Sequence, residues 1–249
     1  MIPAQRQARI LEHIRRQGGV SVGALAAELS VSPSTIRRDL NHLDREGVLR
    51  RVRGGGTIET DPTPFKDVAS VAGAEREALG RLAADLVEDR QVVLLDIGTT
   101  VAMVARHLRD RPVTVVTASL AVVDELRDSS VTEVIVLGGV LRPSYLSLVG
   151  PMTQGALDYL AADVAFLGTS GIAPDLTVLD TTGTEVPIKQ AIMRKSARNY
   201  LLAIADKFPG SGLLPVCSAT EFDAVLTTAD PEIETLRLLR STTTEVITP

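Results

Sequence analysis

The chain has 249 residues, 45% hydrophobic and 23% charged, with a formal net charge of −5; it is too apolar for a disordered polypeptide and long enough to bury one or two cores. No apolar run approaches the roughly 20 residues of a spanning helix, and the start Met1-Ile2-Pro3-Ala4-Gln5-Arg6 lacks a secretion signal's apolar stretch, so a cytoplasmic protein without a membrane segment is expected. A lone cysteine, Cys217, excludes an intrachain disulfide, and His13, His42 and His107 show no ligand spacing, so neither a metal nor a cofactor is expected.

Charge is unevenly spread along the chain. Residues 1–60 hold 10 Lys+Arg against 6 Asp+Glu, and all ten cations are arginines; residues 61–249 hold 16 against 25. Arginine's planar fork suits phosphate and guanine.

In chain order, Ile10, Leu11 and Ile14 predict a first amphipathic helix over about Ala4–Arg16, ending at Gly18-Gly19. Ser21 can cap a second helix whose Val22, Leu25, Ala26 and Leu29 share one buried face. Ser32 as cap and Pro33 at the first helical position open a third, because proline has no N–H to waste there. On that helix Ile36, Leu40 and Leu43 form the buried stripe. Ser34, Arg38, Asn41 and Arg45 point the opposite way, with Ser32, Thr35 and Arg37 flanking them.

A solvated polar face is the ordinary fate of such residues. The neighbouring segment sets this one apart: Gly47-Val48-Leu49-Arg50-Arg51-Val52-Arg53-Gly54-Gly55-Gly56-Thr57-Ile58 reads as a small hairpin, with strand residues at Val48/Leu49 and Thr57/Ile58. Arg50, Arg51 and Arg53 lie on or near it, as a wing along a phosphate backbone requires. The order of parts predicts a winged helix-turn-helix over 1–58, with the third helix reading double-stranded DNA in the major groove.

Pro62 and Pro64 mark a linker over 59–72. Beyond it, helical composition over Gly73–Glu88 is succeeded by aliphatic runs alternating with helical stretches: Val92–Leu95, Val113–Thr117, Val134–Leu137, Val164–Gly168, Tyr200–Ala205 and Ala224–Thr227. The pattern predicts a larger α/β domain over 73–249, built on a mainly parallel sheet covered on both faces.

Ligands of such sheets bind beyond the carboxyl ends of the strands. There Asp96-Ile97-Gly98-Thr99-Thr100 leaves the first run and enters a helix, offering free N–H groups and hydroxyls to an anion. Other strand ends carry Ser119, Gly138-Gly139 with Arg142, Thr169 and Gly171, and Asp206-Lys207, while a helix beginning near Glu185-Val186-Pro187 carries Lys189. Small hydroxyls, glycines and single cations at one rim suit a phosphorylated sugar or polyol. Taken singly, Glu185 and Lys189 also fit an ordinary i,i+4 surface pair and Arg142 a loop cation.

Both halves resemble the DeoR family of bacterial transcription regulators. In the first half the resemblance lies in Ser32-x-x-Thr35-Ile36-Arg37-Arg38-Asp39-Leu40 and the Arg-rich Gly-Gly wing. In the second it lies in Asp96–Thr100, Val136-Leu137-Gly138-Gly139, Phe166–Gly171, Thr184-Glu185 with Lys189, and Ala205-Asp206-Lys207-Phe208. The resemblance implies a sensor domain similar to ribose-5-phosphate isomerase. It also implies that Gly98, Thr99 and Thr100 hold a phosphate, and that Glu185, Lys189, Asp206 and Lys207 lie near the hydroxyls or the pocket mouth. By the same resemblance Asp39 is structural, positioning Arg38 or an arginine of the first helix. The chain departs from the family at Ala118, where many relatives have Asn, and at Ile97, where they have Ser.

The expectation is therefore a regulator, not an enzyme: a homodimer or homotetramer on operator DNA, repressing a sugar or polyol operon until a phosphorylated sugar releases it. Two alternatives stay open. A sugar-phosphate isomerase would need a carboxylate base, and the strand end where the isomerases present an acidic segment reads Gly168-Thr169-Ser170-Gly171 here, leaving Asp96 and Glu185. A winged module could also bind nucleic acid without choosing a sequence.

Overall fold

The computed structural model describes residues 3–17, 20–45, 50–52, 55–57 and 65–249. The chain divides into two units, Met1–Pro62 with Thr181–Gly183 and the remainder.

The first unit runs α1 (Pro3–Gln17), β1 (Val20–Ser21), α2 (Val22–Glu28), α3 (Pro33–Arg45), β2 (Arg50–Val52) and β3 (Gly55–Thr57). Local chemistry sets the helix starts. The Ser21 hydroxyl accepts the Ala24 N–H at 3.1 Å, and Ser32 Oγ accepts the Thr35 N–H at 3.2 Å just before Pro33 opens α3. Ile10 from α1, Val22, Leu25 and Leu29 from α2 and its end, and Ile36, Leu40 and Leu43 from α3 close one small core. Each such side chain, fully buried, contributes about 1.5–3 kcal/mol.

β2 and β3 pair as an antiparallel hairpin, and β1 adds to the other edge of β3 with Val20 opposite Gly56. Gly55 and Gly56, which the composition leaves between the two sets of strand residues, belong to β3. Pairing with β1, more than thirty residues upstream, sets that register. Residues 46–49, Arg53, Gly54, Ile58 and the predicted linker through Pro64 lie outside the described residues.

The second unit continues with α4 (Phe65–Ala69), α5 (Gly73–Asp85), β4 (Val92–Leu95), α6 (Thr99–Leu108), β5 (Thr114–Thr117), α7 (Leu120–Leu126) and β6 (Glu133–Val136). After these come β7 (Val140–Arg142), β8 (Ser147–Val149), α8 (Pro151–Leu157), β9 (Ala162–Gly168), β10 (Gly171–Ile172) and β11 (Thr177–Asp180). The chain closes with α9 (Val186–Lys195), β12 (Ser196–Ala203), β13 (Leu214–Ser218), β14 (Ala224–Thr227), α10 (Glu234–Arg240) and β15 (Glu245–Ile247).

Seven strands form one parallel sheet in the order β15-β14-β12-β9-β4-β5-β6. All six aliphatic runs read from the sequence are strands of it. Along each strand side chains alternate between two cores, as period two demands. Val93, Leu95, Val115, Val164, Phe166, Leu202 and Leu226 pack on one face beneath α5, α6 and α7. Leu94, Val116, Ala165, Leu167, Leu201 and Val225 pack on the other with Leu157 of α8, Ile188 and Ile192 of α9 and Leu236 of α10.

Two small antiparallel assemblies, β7-β8 and β10-β11-β13, interrupt the parallel pattern. β7 comes after β6 and β10 after β9, so the chain makes these excursions beyond the carboxyl ends of parallel strands. They deliver Arg142, Ser147 and Asp180 to that end of the sheet.

Candidate functional site

In the first unit the outward side of α3 is formed as its periodicity requires. Ser34, Arg37, Arg38 and Asn41 are exposed, Thr35 is half-buried, and Ile36, Leu40 and Leu43 face the core. Arg45 lies in the last turn of α3, and Arg50 and Arg51 belong to β2. Ser32 Oγ meets the hydroxyls of Ser34 at 2.8 Å and Thr35 at 2.9 Å, closing the helix start.

Asp39 does not lie on the exposed face. It is 5% exposed and accepts two hydrogen bonds from Arg6 of α1, at 2.5 Å from Nε and 3.0 Å from Nη2. The carboxylate raises the Arg6 pKa above its ordinary value through that hydrogen bond. Turned inward, the carboxylate ties α3 to α1.

In the second unit the strand ends gather an ion cluster. Lys189 of α9, 3% exposed, donates to Asp96 Oδ2 and to the Gly168 carbonyl at 2.8 Å, and stands 3.5 Å from Asp180 Oδ2. Asp96 Oδ2 also accepts the Gly168 N–H at 3.1 Å. One residue before α9 begins, Glu185 is 1% exposed; its Oε1 accepts from Arg142 at 2.5 Å and from Ser147 Oγ at 2.9 Å. Burial, taken alone, would lower the Lys189 pKa, but Asp96 and Asp180 outweigh it and hold the ammonium above its ordinary value. Burial pushes Glu185 up to about 7, assisted by the Asp96 charge and opposed by Arg142 and Lys189.

Glu185 and Lys189 are therefore not a surface pair. Each reaches across the fold, Glu185 to β7 and β8, Lys189 to β9, β11 and the residue just after β4. Tyr145, whose hydroxyl burial raises above its ordinary pKa, lies within the field of Lys189, Asp180, Asp96 and Glu185.

Two acceptors in this cluster are unmatched: Asp96 Oδ1 and Glu185 Oε2 are buried without a hydrogen-bond partner. A buried carboxylate oxygen left bare is costly, so each calls for an incoming donor.

The loop Gly98–Thr100 caps α6 without a capping side chain. Gly98 has φ +112°, a conformation that favours glycine, and Thr99 is 6% exposed. Several other strand-end residues are occupied by the fold itself. Ser119 accepts the Val122 N–H at 3.3 Å as the cap of α7. Thr169 Oγ1 donates to the carbonyls of Gly171 and Leu179 and accepts the Gly171 N–H. At Gly171 a Cβ would fall 2.4 Å from Gly210, and at Gly139 one would fall 2.1 Å from Thr153 Oγ1. Gly138 takes the Thr153 hydroxyl on its carbonyl at 2.8 Å. Asp206 and Lys207 pair with each other at 3.3 Å.

Sequence reasoning passed over Ser147 and Asp180, which lie on short strands, and Arg76, which lies on the inward face of α5. Arg76 is 4% exposed, and its Nε and Nη1 have no partner. Its spacing from Leu79 and Ala83, i, i+3 and i+7, carried the signal: an arginine on a buried stripe.

The profile of the DeoR-like helix-turn-helix domain matches residues 6–61, and that of the DeoR C terminal sensor domain matches residues 72–229. The glycerol-3-phosphate regulon repressor of Escherichia coli K12 is 32% identical over 242 residues, covering 96% of each chain. Among solved structures, the full-length sorbitol operon regulator SorC from Klebsiella pneumoniae gives a TM-score of 0.41 at 14% identity, over 88% of this chain and 93% of that one. Ribose 5-phosphate isomerase A from Methanocaldococcus jannaschii gives 0.39 at 16% identity, over 53% and 52%.

Proposed function

Because the chain belongs to the DeoR family of transcription regulators, we propose that it represses a sugar or polyol operon and is released from its operator by a phosphorylated sugar or polyol. The observation that carries the effector class is the pair of bare acceptors, Asp96 Oδ1 and Glu185 Oε2, buried in an otherwise saturated ion cluster at the strand ends. Polyhydroxylated ligands bring hydroxyl donors to both. A sugar acid would bring a third carboxylate against them, and repulsion there disfavours it. The helix start at Gly98–Thr100, on the loop just beyond Asp96, supplies unpaired N–H groups to the phosphate.

DNA is read by the exposed face of α3, with Arg38, Asn41 and Ser34 at base edges and Arg50, Arg51 and Arg53 along the backbone. Two winged units reading two half-sites require at least a homodimer. The same cluster argues for binding over turnover. Asp96 is held by Lys189 and the Gly168 N–H and Glu185 by Arg142 and Ser147, while the Gly168–Gly171 strand end brings no further carboxylate.

The test is calorimetry of the full chain against phosphorylated polyols, pentoses and hexoses, glycerol 3-phosphate among them, with operator release monitored by fluorescence anisotropy. One member should bind and release DNA, and Glu185→Gln should weaken it at least tenfold. Binding by none, or an effect indifferent to Glu185→Gln, removes the proposal. Turnover of any panel member, abolished in that variant, favours the isomerase.

A further inference from the structure

The ion cluster does not account for Arg76. This residue lines a cavity of about 240 Å³ between α4, α5, α6 and α7, together with Phe65, Thr99, Met103, Ala121 and Leu146. Other charges around the cavity are matched. Arg106 makes two hydrogen bonds to Glu125, at 3.1 and 2.9 Å; Asp124 stands 3.4 Å from Arg127; and Glu77 meets His107 at 2.8 Å. Arg76 alone of these, 4% exposed, keeps two N–H-bearing nitrogens, Nε and Nη1, without an acceptor. The wall thus carries one uncompensated positive charge in a largely apolar surround, where a charge–charge contact is weakly screened.

Thr99, the first residue of α6, lines the same cavity, and Gly98 places no capping side chain over that helix end. A guanidinium fork, a threonine hydroxyl and a helix N-terminus are complementary to the oxygens of a phosphate dianion. We infer that this cavity seats the phosphate of a monophosphate ester and that Arg76 is its principal charge partner. The inference rests on the sugar-phosphate reading and locates the anionic end of that ligand. The roof also joins the two ends of the site. The Phe65 N–H donates to the Ser144 carbonyl at 2.8 Å and its ring meets Tyr145 edge-on at 6.3 Å, on the segment that leads into Ser147 and so to Glu185.

The experiment titrates the full chain with inorganic phosphate in chloride buffer, by thermal melting and calorimetry, for wild type, Arg76→Gln, Arg76→Lys and Ala69→Trp. Ala69 is an exposed residue of the cavity wall, so a tryptophan there obstructs entry without changing charge. Wild type should show a saturable rise in Tm. Arg76→Gln should lose that rise and, without phosphate, melt no lower than wild type, since it removes an unmatched charge. Arg76→Lys and Ala69→Trp should bind phosphate at least tenfold more weakly. A wild-type response in Arg76→Gln overturns the inference. Should Arg76→Gln fail to fold, a wild-type response in both Arg76→Lys and Ala69→Trp overturns it equally. If a sugar phosphate releases operator from Arg76→Gln at wild-type concentrations, the seat is wrong and the effector class stands. If phosphate binds through Arg76 but no sugar or polyol phosphate releases DNA, the seat stands and the effector class falls.

Discussion

At Glu185 burial and charge pull against each other, and the balance has a pH signature. Its carboxyl rises from an ordinary 4.5 to about 7 in the fold, so the fold favours the protonated form. That stabilisation is complete below about pH 4.5 and is lost as pH rises through 7, a change of up to about 3 kcal/mol in the window between. Glu185→Gln, which cannot titrate but keeps an oxygen for Arg142 and Ser147, should flatten that part of the profile. Urea denaturation at pH 5 and pH 8 measures it, and an unchanged difference in the variant assigns the slope to other groups. Residue-scale legibility was uneven for a physical reason. Position after an aliphatic run or at a helix start singled out Asp96, Arg142, Glu185 and Lys189, but Ser147 and Glu185 lie 38 residues apart and Asp96 and Lys189 lie 93 apart, and local spacing carries no record of such distances. Gly139, Gly171, Thr169 and Ser119 share the same strand ends for packing and capping reasons, which a strand-end rule does not separate from ligand binding.

At the scale of elements, α3 has two faces with separable consequences. Its inward anchor is Asp39 to Arg6 of α1, and Asp39→Ala removes two charged hydrogen bonds, about 1–3 kcal/mol. The first unit should then melt lower while effector binding is unchanged, which differential scanning calorimetry with a parallel effector titration resolves. The outward face should behave differently. Arg38→Ala is expected to weaken operator binding by about 1–3 kcal/mol and relax sequence preference without loss of fold; equal losses on operator and scrambled DNA would count against base reading. Both helix starts were legible, because serine caps and an N1 proline act within four residues. Gly55 and Gly56 were not legible as strand residues because glycine carries no alternating pattern and β1, which sets their register, lies far upstream. Strands buried on both faces announce themselves as aliphatic runs, whereas β7, β8, β10 and β11 span two to four residues, too few for a period to appear. β15 escaped notice for the same reason.

At the scale of the whole molecule, the positive excess of residues 1–60 and the negative excess of residues 61–249 assign phosphate-backbone attraction to one end and leave sensing to the other. Phe65, the first described residue of the second unit, is a wall of the cavity that holds Arg76. An effector can lower operator affinity only by preferring one state of the protein, and the coupling is reciprocal: operator must weaken effector binding by the same factor, typically 5- to 150-fold. Two titrations check this, effector into free protein and effector into the operator complex, set beside operator affinity with and without effector. Equal factors that hold as protein is diluted place the switch inside a fixed oligomer, the outcome expected if the roof at Phe65 and Tyr145 is what the ligand rearranges. Factors that grow on dilution would instead place it in subunit dissociation, since only an assembly step adds a concentration dependence to an otherwise closed cycle.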